Sequence, residues 1–232
     1  MPSDQQGGEY MAQDNDMMQK WMAHFQRDKQ QKLQNFREMN QYALKGQILF
    51  TGSSLMEQFP IVEYCMNAGI TPVYNRGIGG YTTDEFLEGI HEMLLDLEPR
   101  KVFINIGTND IRNREDGEDW LTHLIRNYRS ILTALKTQLP QTQCYLMAYY
   151  PVNPDTPQGR ENQALIVRTN ANVDKANQAV RQLAEEMGYT YIDCNDGLKD
   201  AQGRLKAAYA KDGMHIFAQG YATVFDRLRP YL

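Results

Sequence analysis

The sequence predicts an α/β protein whose single domain is built on a parallel β-sheet. Five short, mostly apolar runs alternate with longer amphipathic segments, an order that is typical of βαβ units. The 232 residues are enough for one large domain, and 42% hydrophobic residues with 17 Gly and 9 Pro is an ordinary globular composition. After Gly46 we find no repeat, no low-complexity tract and no second domain boundary.

Residues 1–45 are predicted to precede the domain, which spans 46–232. Residues 1–15 are polar and are expected to form a loose start. The rest of the segment is predicted to be a helical extension. We expect this extension to pack on the domain, rather than to serve as a dimerisation arm or an active-site lid, and to be dispensable for the chemistry.

The helical extension is predicted from its periodicity. Between Asp16 and Lys45, apolar residues recur every three or four positions, which indicates a helix with one apolar stripe. A polar stretch at 28–32 interrupts the stripe, so two helices are an alternative. Gly46 is expected to end the helix.

Five strands are predicted after the extension. They are Ile48–Thr51, Val73–Asn75, Val102–Ile106, Cys144–Tyr149 and Thr190–Asp193. Several of these runs are continuously apolar, as expected of strands that are buried on both faces of a parallel sheet.

Helical patterns separate the predicted strands. They lie at 83–97, 117–138 and 161–187, and a last one follows Phe217. Thr82 followed by Glu85 predicts a capping box at the start of the first. The alternation predicts a sheet that helices cover on both faces.

Charge and composition argue against several partners. The formal net charge is −5, the sequence pI is about 5.4 and no long Lys/Arg run is present, so we expect no nucleic-acid binding. No apolar run has the length of a membrane span, and the start lacks the pattern of a secretory signal. Three separated cysteines, Cys65, Cys144 and Cys194, are typical of buried thiols in a reducing compartment. We therefore expect a cytoplasmic protein.

Polar segments follow the predicted strands. GSSL (52–55), NRGIGG (75–80) and GTND (107–110) follow the first three, and DGMH (212–215) lies near the C-terminus. In an open parallel sheet, reactive groups collect beyond the carboxyl ends of the strands. A hydroxyl, backbone and amide donors, and a carboxylate–imidazole pair are the groups that acyl transfer requires.

The four segments resemble the sequence blocks of the SGNH hydrolase superfamily, also called GDSL esterases and lipases, over about residues 47–232. The resemblance implies a flavodoxin-like three-layer α/β/α fold with a doubly wound parallel five-stranded sheet. It also implies a Ser-His-Asp hydrolase. The substrate is left open among O-acetylated sugars, lysophospholipids, acyl thioesters and small esters. No metal or organic cofactor is implied.

The resemblance assigns roles to five residues. Ser54 matches the nucleophile, while His215 and Asp212 match the other triad members. Gly80 and Asn109 match the oxyanion-hole positions. The Ser54 amide is expected to join them, because Ser54 is predicted to start a short helix whose positive end faces the oxyanion. The same roles are chemically reasonable, since a serine hydroxyl needs a base and histidine is the usual base at neutral pH.

One position departs from the family pattern. The family's first block usually reads Gly-Asp-Ser-Leu, whereas Ser53 stands here in the Asp position. Two adjacent hydroxyls are therefore present. Adjacent side chains at an extended strand end point to opposite sides, so only one can face the crevice, and the block position favours Ser54.

Three other functions are considered. The chain has no GxSxG motif, which argues against an α/β-hydrolase. A flavodoxin-like sheet can bind a flavin or nucleotide, but the GIGG segment at 77–80 lacks the last glycine of GxGxxG. A non-catalytic ligand-binding relative is the third alternative. A homo-oligomer formed through the N-terminal helix is also considered.

Overall fold

Five parallel strands form one sheet at the centre of the structure. The computed structural model describes residues 4–232, with the backbone alone for 4–15. The strands, in chain order, are β1 (Ile48–Gly52), β2 (Val73–Gly77), β3 (Lys101–Asn105), β4 (Gln143–Met147) and β5 (Thr190–Ile192). Each end lies within two residues of its predicted position, because buried strands carry apolar runs that can be recognised in the sequence.

The order of the strands confirms the predicted topology. It is β2-β1-β3-β4-β5, and every neighbouring pair is parallel. This is the doubly wound order of flavodoxin-like sheets. The register aligns Gly52 with Gly77 on one side and with Asn105 on the other, so the ends of β1, β2 and β3 meet at one edge.

Helices cover both faces of the sheet. The α-helices in residues 4–232 are α1 (Asp4–Asn40), α2 (Ser54–Glu57), α3 (Ile61–Asn67), α4 (Thr83–Glu88), α5 (Ile90–Met93), α6 (Trp120–Gln138), α7 (Pro157–Glu161), α8 (Asn170–Met187) and α9 (Ala218–Leu228). Helices α4, α6 and α8 pack on one face, whereas α2, α3 and α9 pack on the other. Alternation along β1 divides its side chains between the two cores, with Leu49 in the first and Ile48 and Phe50 in the second. The predicted three-layer α/β/α fold is confirmed.

Two of the predicted helices are interrupted. The 83–97 segment divides at Gly89 into α4 and α5 and ends in a 3₁₀ turn. The 161–187 segment becomes α7, a 3₁₀ turn at Gln163–Ile166 and α8, whose first turn is capped by the side chain of Thr169. The predicted capping box at Thr82 and Glu85 is present.

The N-terminal segment departs from its prediction. Helix α1 runs without a break from Asp4 to Asn40, so the loose start is wrong for residues 4–15 and lies outside the described residues for 1–3. The break at 28–32 is also wrong. Lys29 and Lys32 in this stretch form ion pairs with the domain, so the polar residues favour packing instead of interrupting it.

The C-terminal end of α1 is fixed to the domain by hydrogen bonds. The Arg37 guanidinium pairs with the carboxylate of Glu92, and Asn40 Nδ2 donates to the carbonyl oxygen of Glu92 at 2.8 Å. Arg76 Nε donates to Asn40 Oδ1 at 3.0 Å. The expected packing on the domain is present in this half of the helix. Residues 17–22 nearer the N-terminus leave four apolar side chains exposed, Met17, Met18, Trp21 and Met22.

No helix within residues 4–232 combines the length and the hydropathy required to cross a membrane. Cys65, Cys144 and Cys194 are buried free thiols. Burial raises the pKa of Cys65 to about 11.

Candidate active site

Ser54 lies where the chain turns from β1 into α2. Helix α2 begins at Ser54, and its first turn is closed by hydrogen bonds from the amides of Met56 and Glu57 to the carbonyl oxygen of Ser53. The side chain of Ser54 lines an open cleft of about 1270 Å³. Ser53 is fully buried, and its Oγ has no hydrogen-bond partner within residues 4–232. The two adjacent hydroxyls therefore occupy different environments.

His215 and Asp212 lie beside Ser54, in the loop before α9. Ser54 Oγ is 2.8 Å from His215 Nε2, and His215 Nδ1 is 2.6 Å from Asp212 Oδ2. The loop is fixed by a hydrogen bond from the Lys211 amide to the carbonyl oxygen of His215 at 2.8 Å. The three predicted side chains thus form one continuous hydrogen-bonded chain.

The Asp212 carboxylate is stabilised in its charged form. Its second oxygen, Oδ1, accepts the backbone amides of Met214 at 3.1 Å and His215 at 2.9 Å. Burial alone would raise the pKa of Asp212, but the hydrogen bonds from the His215 side chain and from these amides hold it well below its usual range. An ionised Asp212 fixes the imidazole with its Nε2 toward Ser54.

Ser54, Gly80 and Asn109, the residues predicted for an oxyanion hole, line the same cleft. The backbone amides of Ser54 and Gly80 have no hydrogen-bond partner within the described part of the chain. Asn109 lies in the 3₁₀ turn Thr108–Asp110 and donates one Nδ2 hydrogen to the carbonyl oxygen of Tyr81 at 2.9 Å. Its second Nδ2 hydrogen is available to a ligand.

Helix α1 forms part of the wall of the cleft. Gly80 has a φ of +74°, and a Cβ at this position would lie 2.4 Å from Cζ of Phe25. The ring of Phe25 therefore covers the Gly80 backbone, which only glycine permits here. Trp21 stacks on Phe25 with ring centroids 5.5 Å apart and also lines the cleft. These contacts argue against the expectation that α1 is dispensable for the chemistry.

Salt bridges hold α1 in this position. Lys29 Nζ is 2.7 Å from Glu85 Oε1, and the other oxygen of Glu85 accepts the backbone amide of Thr82 in the capping box. Lys32 Nζ is 2.8 Å from Glu57 Oε1, at the end of α2. Helix α1 is therefore joined to both α2 and α4.

Arg168 is a cleft residue that the sequence prediction missed. It lies between the 3₁₀ turn at Gln163–Ile166 and α8, it is 7% exposed, and its Nη2 donates to Asn109 Oδ1 at 3.1 Å. The sequence carried no signal for this role, because an arginine in a predicted amphipathic helix is usually a surface residue.

The turn that carries Asn109 is supported by Asp110. The Asp110 carboxylate accepts the Thr83 hydroxyl at 2.5 Å and the Thr83 amide at 3.1 Å. Burial raises the pKa of Asp110 to about 6, against the effect of these hydrogen bonds.

Asp84, Asp110 and His123 place one ligand atom each within 4.8 Å of one another, which is close enough for a metal ion. Their side chains are nevertheless engaged with protein groups. His123 Nε2 is 2.8 Å from Asp84 Oδ2, and Asn127 Nδ2 donates to Asp84 Oδ1 at 2.6 Å. These hydrogen bonds connect α4 to α6 without requiring a cation.

A small recess adjoins the main cleft at Ser54 and His215. Its water-accessible volume is about 10 Å³, and Leu55, Thr108, Val152 and Met214 line it. This volume holds about one water-sized group. The site thus offers one small and one large compartment that both include Ser54.

This arrangement can transfer an acyl group. A neutral imidazole can remove the serine proton, and the ionised Asp212 can stabilise the resulting imidazolium. Hydrogen-bond donors in the same cleft, from Ser54, Gly80 and Asn109, can stabilise a developing oxyanion. The structure brings all five sequence-predicted site residues together.

The family model for the GDSL-like lipase/acylhydrolase family matches residues 62–223. N-acylneuraminate cytidylyltransferase of Escherichia coli O18:K1:H7 (strain RS218 / NMEC) is 27% identical over 191 residues, which are 82% of this chain and 41% of that protein. The chain thus spans less than half the length of this relative.

Solved structures share the fold. A Streptococcus pneumonia protein provisionally named as a platelet activating factor is 29% identical, with a TM-score of 0.81, and the match covers 95% of this chain and 98% of that one. An acetylxylan esterase of Geobacillus stearothermophilus is 21% identical, with a TM-score of 0.60 and coverage of 81% and 94%. A GDSL-like lipase of Bacteroides thetaiotaomicron is 20% identical, with a TM-score of 0.69 and coverage of 86% and 96%. Since the family model matches more than half of the sequence, the chain belongs to the GDSL-like lipase/acylhydrolase family, within the SGNH hydrolase superfamily.

Proposed function

We propose that the protein hydrolyses carboxylic esters of short acids through an acyl-enzyme on Ser54. The observation that carries the proposal is the hydrogen-bonded chain from Ser54 Oγ to His215 Nε2, at 2.8 Å, and from His215 Nδ1 to Asp212, at 2.6 Å. Membership of a hydrolase family and the esterases among the structural neighbours support it.

In the first half-reaction, His215 Nε2 takes the proton of Ser54 as Oγ attacks the ester carbonyl carbon. The carbonyl π-electrons move to oxygen and give a tetrahedral oxyanion. Collapse of this intermediate breaks the bond to the alkoxy oxygen, which receives the proton from His215 and leaves as an alcohol. The acyl group remains on Ser54.

The second half-reaction returns the enzyme to its starting state. His215 Nε2 takes a proton from water, whose oxygen attacks the acyl carbon. Collapse of the second tetrahedral intermediate breaks the bond to Ser54 Oγ, which regains its proton from His215, and the acid is released.

The oxyanion is stabilised by the amides of Ser54 and Gly80 and by Asn109 Nδ2. The first of these amides also belongs to the beginning of α2. Loss of one such donor typically costs about 10²–10³ in rate.

The two compartments favour a small acyl group and a larger alcohol. The recess of about 10 Å³ beside Ser54 has room for one group of the size of a methyl, so we propose that it accepts the methyl of an acetyl ester. The cleft of about 1270 Å³ is then left for the alcohol. An O-acetylated sugar fits this division, and the acetylxylan esterase among the structural neighbours agrees with such a substrate.

The flavin and nucleotide alternative is disfavoured by charge. The Glu57 carboxylate lies 2.6 Å from the position that a Cβ of Gly79 would occupy, and Phe25 covers Gly80. A phosphate at these glycines would lie beside the Glu57 carboxylate, whose negative charge repels it.

A series of p-nitrophenyl esters tests the proposal, with one alcohol and acyl chains of two, four and eight carbons. We expect the acetate to have the highest kcat/KM and Ser54→Ala to abolish turnover. Acetylated xylan and acetylated sialic acid, assayed by acetate release, extend the test to sugars. No hydrolysis of any ester by folded protein would refute the proposal, and preference for the longest chain would refute acetyl specificity.

A further inference from the structure

Arg168 is a buried cation that forms no ion pair within residues 4–232. The residue is 7% exposed, and the carboxylates of Asp110 and Asp212 act on its charge without forming a salt bridge to it. Burying a charge without an ion pair is costly, so such a group is unusual outside functional sites. The contacts of the guanidinium should therefore show why the free-energy cost of burying this charge is tolerated.

Both partners of the guanidinium belong to the candidate site. Nη2 donates to Asn109 Oδ1 at 3.1 Å, and Nη1 lies 2.9 Å from the sulfur of Met214, the residue before His215. Nε is buried without a partner among the described residues. Arg168 thus connects the oxyanion side of the site with the loop of the base.

The hydrogen bond from Arg168 determines how the Asn109 amide is oriented. A guanidinium can only donate, so the Asn109 atom that faces it is the oxygen. The amide nitrogen is held from the other side, where it donates to the carbonyl oxygen of Tyr81 at 2.9 Å. With both atoms fixed, the remaining Nδ2 hydrogen has one direction.

We propose that Arg168 is a positioning residue of the oxyanion hole, which holds the Asn109 amide so that its free N–H points at the developing oxyanion. The inference rests on the proposed esterase function. Arg168, which also lines the cleft and the recess, acts on the reaction through Asn109.

The charge of Arg168 adds to this geometric effect. Burial lowers the pKa of Arg168 to about 10, so the group stays protonated at neutral pH. A positive charge on the oxygen side of an amide polarises its N–H bond and strengthens donation to an anion. The benefit grows with the negative charge of the transition state, so it belongs to kcat more than to KM.

A double-mutant cycle tests the proposal. Arg168→Met, Asn109→Ala and the double variant are compared with the wild type, with p-nitrophenyl acetate as substrate. We expect Asn109→Ala to lower kcat about 10²–10³-fold. Arg168→Met should lower kcat about 10-fold or more with KM changed less than about threefold, and the double variant should match Asn109→Ala within about threefold.

Other outcomes overturn the inference. If the two losses multiply, or if Arg168→Met raises KM in the Asn109→Ala background, Arg168 acts on the substrate or on the fold and not through Asn109. Arg168→Lys retains a charge and a donor, so it should recover part of the kcat lost in Arg168→Met. If Arg168→Met does not fold, Arg168→Lys takes its place in the double-mutant cycle. No recovery in folded Arg168→Lys counts against positioning.

The cycle separates this inference from the function on which it rests. Wild-type protein without turnover would refute the esterase proposal itself. Normal wild-type turnover with multiplicative losses would refute the role of Arg168 alone.

Discussion

The pH range in which the site can work depends on whether His215, the hydrogen-bond partner of Ser54, is protonated. A protonated imidazole cannot accept the serine proton, while Asp212 stays ionised because its pKa is held well below the usual range. We therefore expect kcat/KM to rise with pH as the imidazole of His215 loses its proton. A pH–rate profile with p-nitrophenyl acetate between pH 5 and 8 measures this, and a flat profile for folded protein would argue against His215 as the base.

Asp110 provides the control for this profile. Burial raises its pKa to about 6, so its titration falls in the same range. In Asp110→Asn the rate is expected to fall, since one of the two oxygens that accept from Thr83 becomes an amide nitrogen, but the pH midpoint of the rate profile should not change. If the rise of kcat/KM with pH disappears in this variant, the rise reports the titration of Asp110 and not that of the base.

The recess beside Ser54 is expected to limit the size of the acyl group. Val152 lines it, and its backbone is held by two hydrogen bonds to the side chain of Asn170. Val152→Ala should enlarge the recess and raise the ratio of butyrate to acetate kcat/KM about tenfold. The control is Val180→Ala, in the buried part of α8. Both variants should lower the free energy of unfolding by about 2 kcal/mol, but Val180→Ala should leave the ratio of butyrate to acetate kcat/KM unchanged. Equal ratios in both variants would exclude the recess as the acyl site.

At the scale of elements, α1 is attached to the domain by a buried ion pair. The side chain of Lys29 is 6% exposed and that of its partner, Glu85, is 25% exposed. Removing one member of a buried pair leaves the other without its partner, so Lys29→Met should destabilise the protein by about 2 kcal/mol. Urea unfolding followed by circular dichroism measures the change.

A matched control lies on the same helix. Lys20 pairs with Asp16, but the two side chains are 75% and 61% exposed. Lys20→Met should change the free energy of unfolding by less than about 0.5 kcal/mol. Equal losses in the two lysine variants would show that the buried pair does not anchor α1.

The exposed end of α1 leaves the question of oligomerisation open to experiment. Met17, Met18 and Trp21 are each more than half exposed, so an apolar surface continues along α1 from the wall of the cleft, where Trp21 lies. A homo-oligomer through this helix stays a prediction, as does the cytoplasmic location.

At the scale of the molecule, topology explains why the site could be predicted from the sequence. Strands β1, β2 and β3 are neighbours, and the order of a doubly wound sheet brings their carboxyl ends to one edge. Ser54, Gly80 and Asn109 follow these three ends, so assigning the strands placed the residues together. The capping box and the strand positions could also be predicted from the sequence, because both depend on short local patterns.

Contacts between residues that are distant in the sequence could not be predicted in this way. No local pattern shows that Phe25 covers Gly80, since the two residues meet only after α1 folds back onto the domain. Arg168 gave no signal, because its burial depends on a turn inside a segment that was predicted to be one helix. The unbroken α1 was missed because Lys29 and Lys32 have partners that are distant in sequence.

Covalent labelling of the nucleophile tests the central claim most directly. A fluorophosphonate reacts with an activated serine, and fragmentation of the labelled peptide distinguishes Ser54 from its neighbour Ser53. We expect one label per chain, on Ser54, with none in Ser54→Ala and undiminished labelling in Ser53→Ala, since the Ser53 hydroxyl is buried. Modification of Ser53, or no modification of protein that hydrolyses esters, would contradict the account.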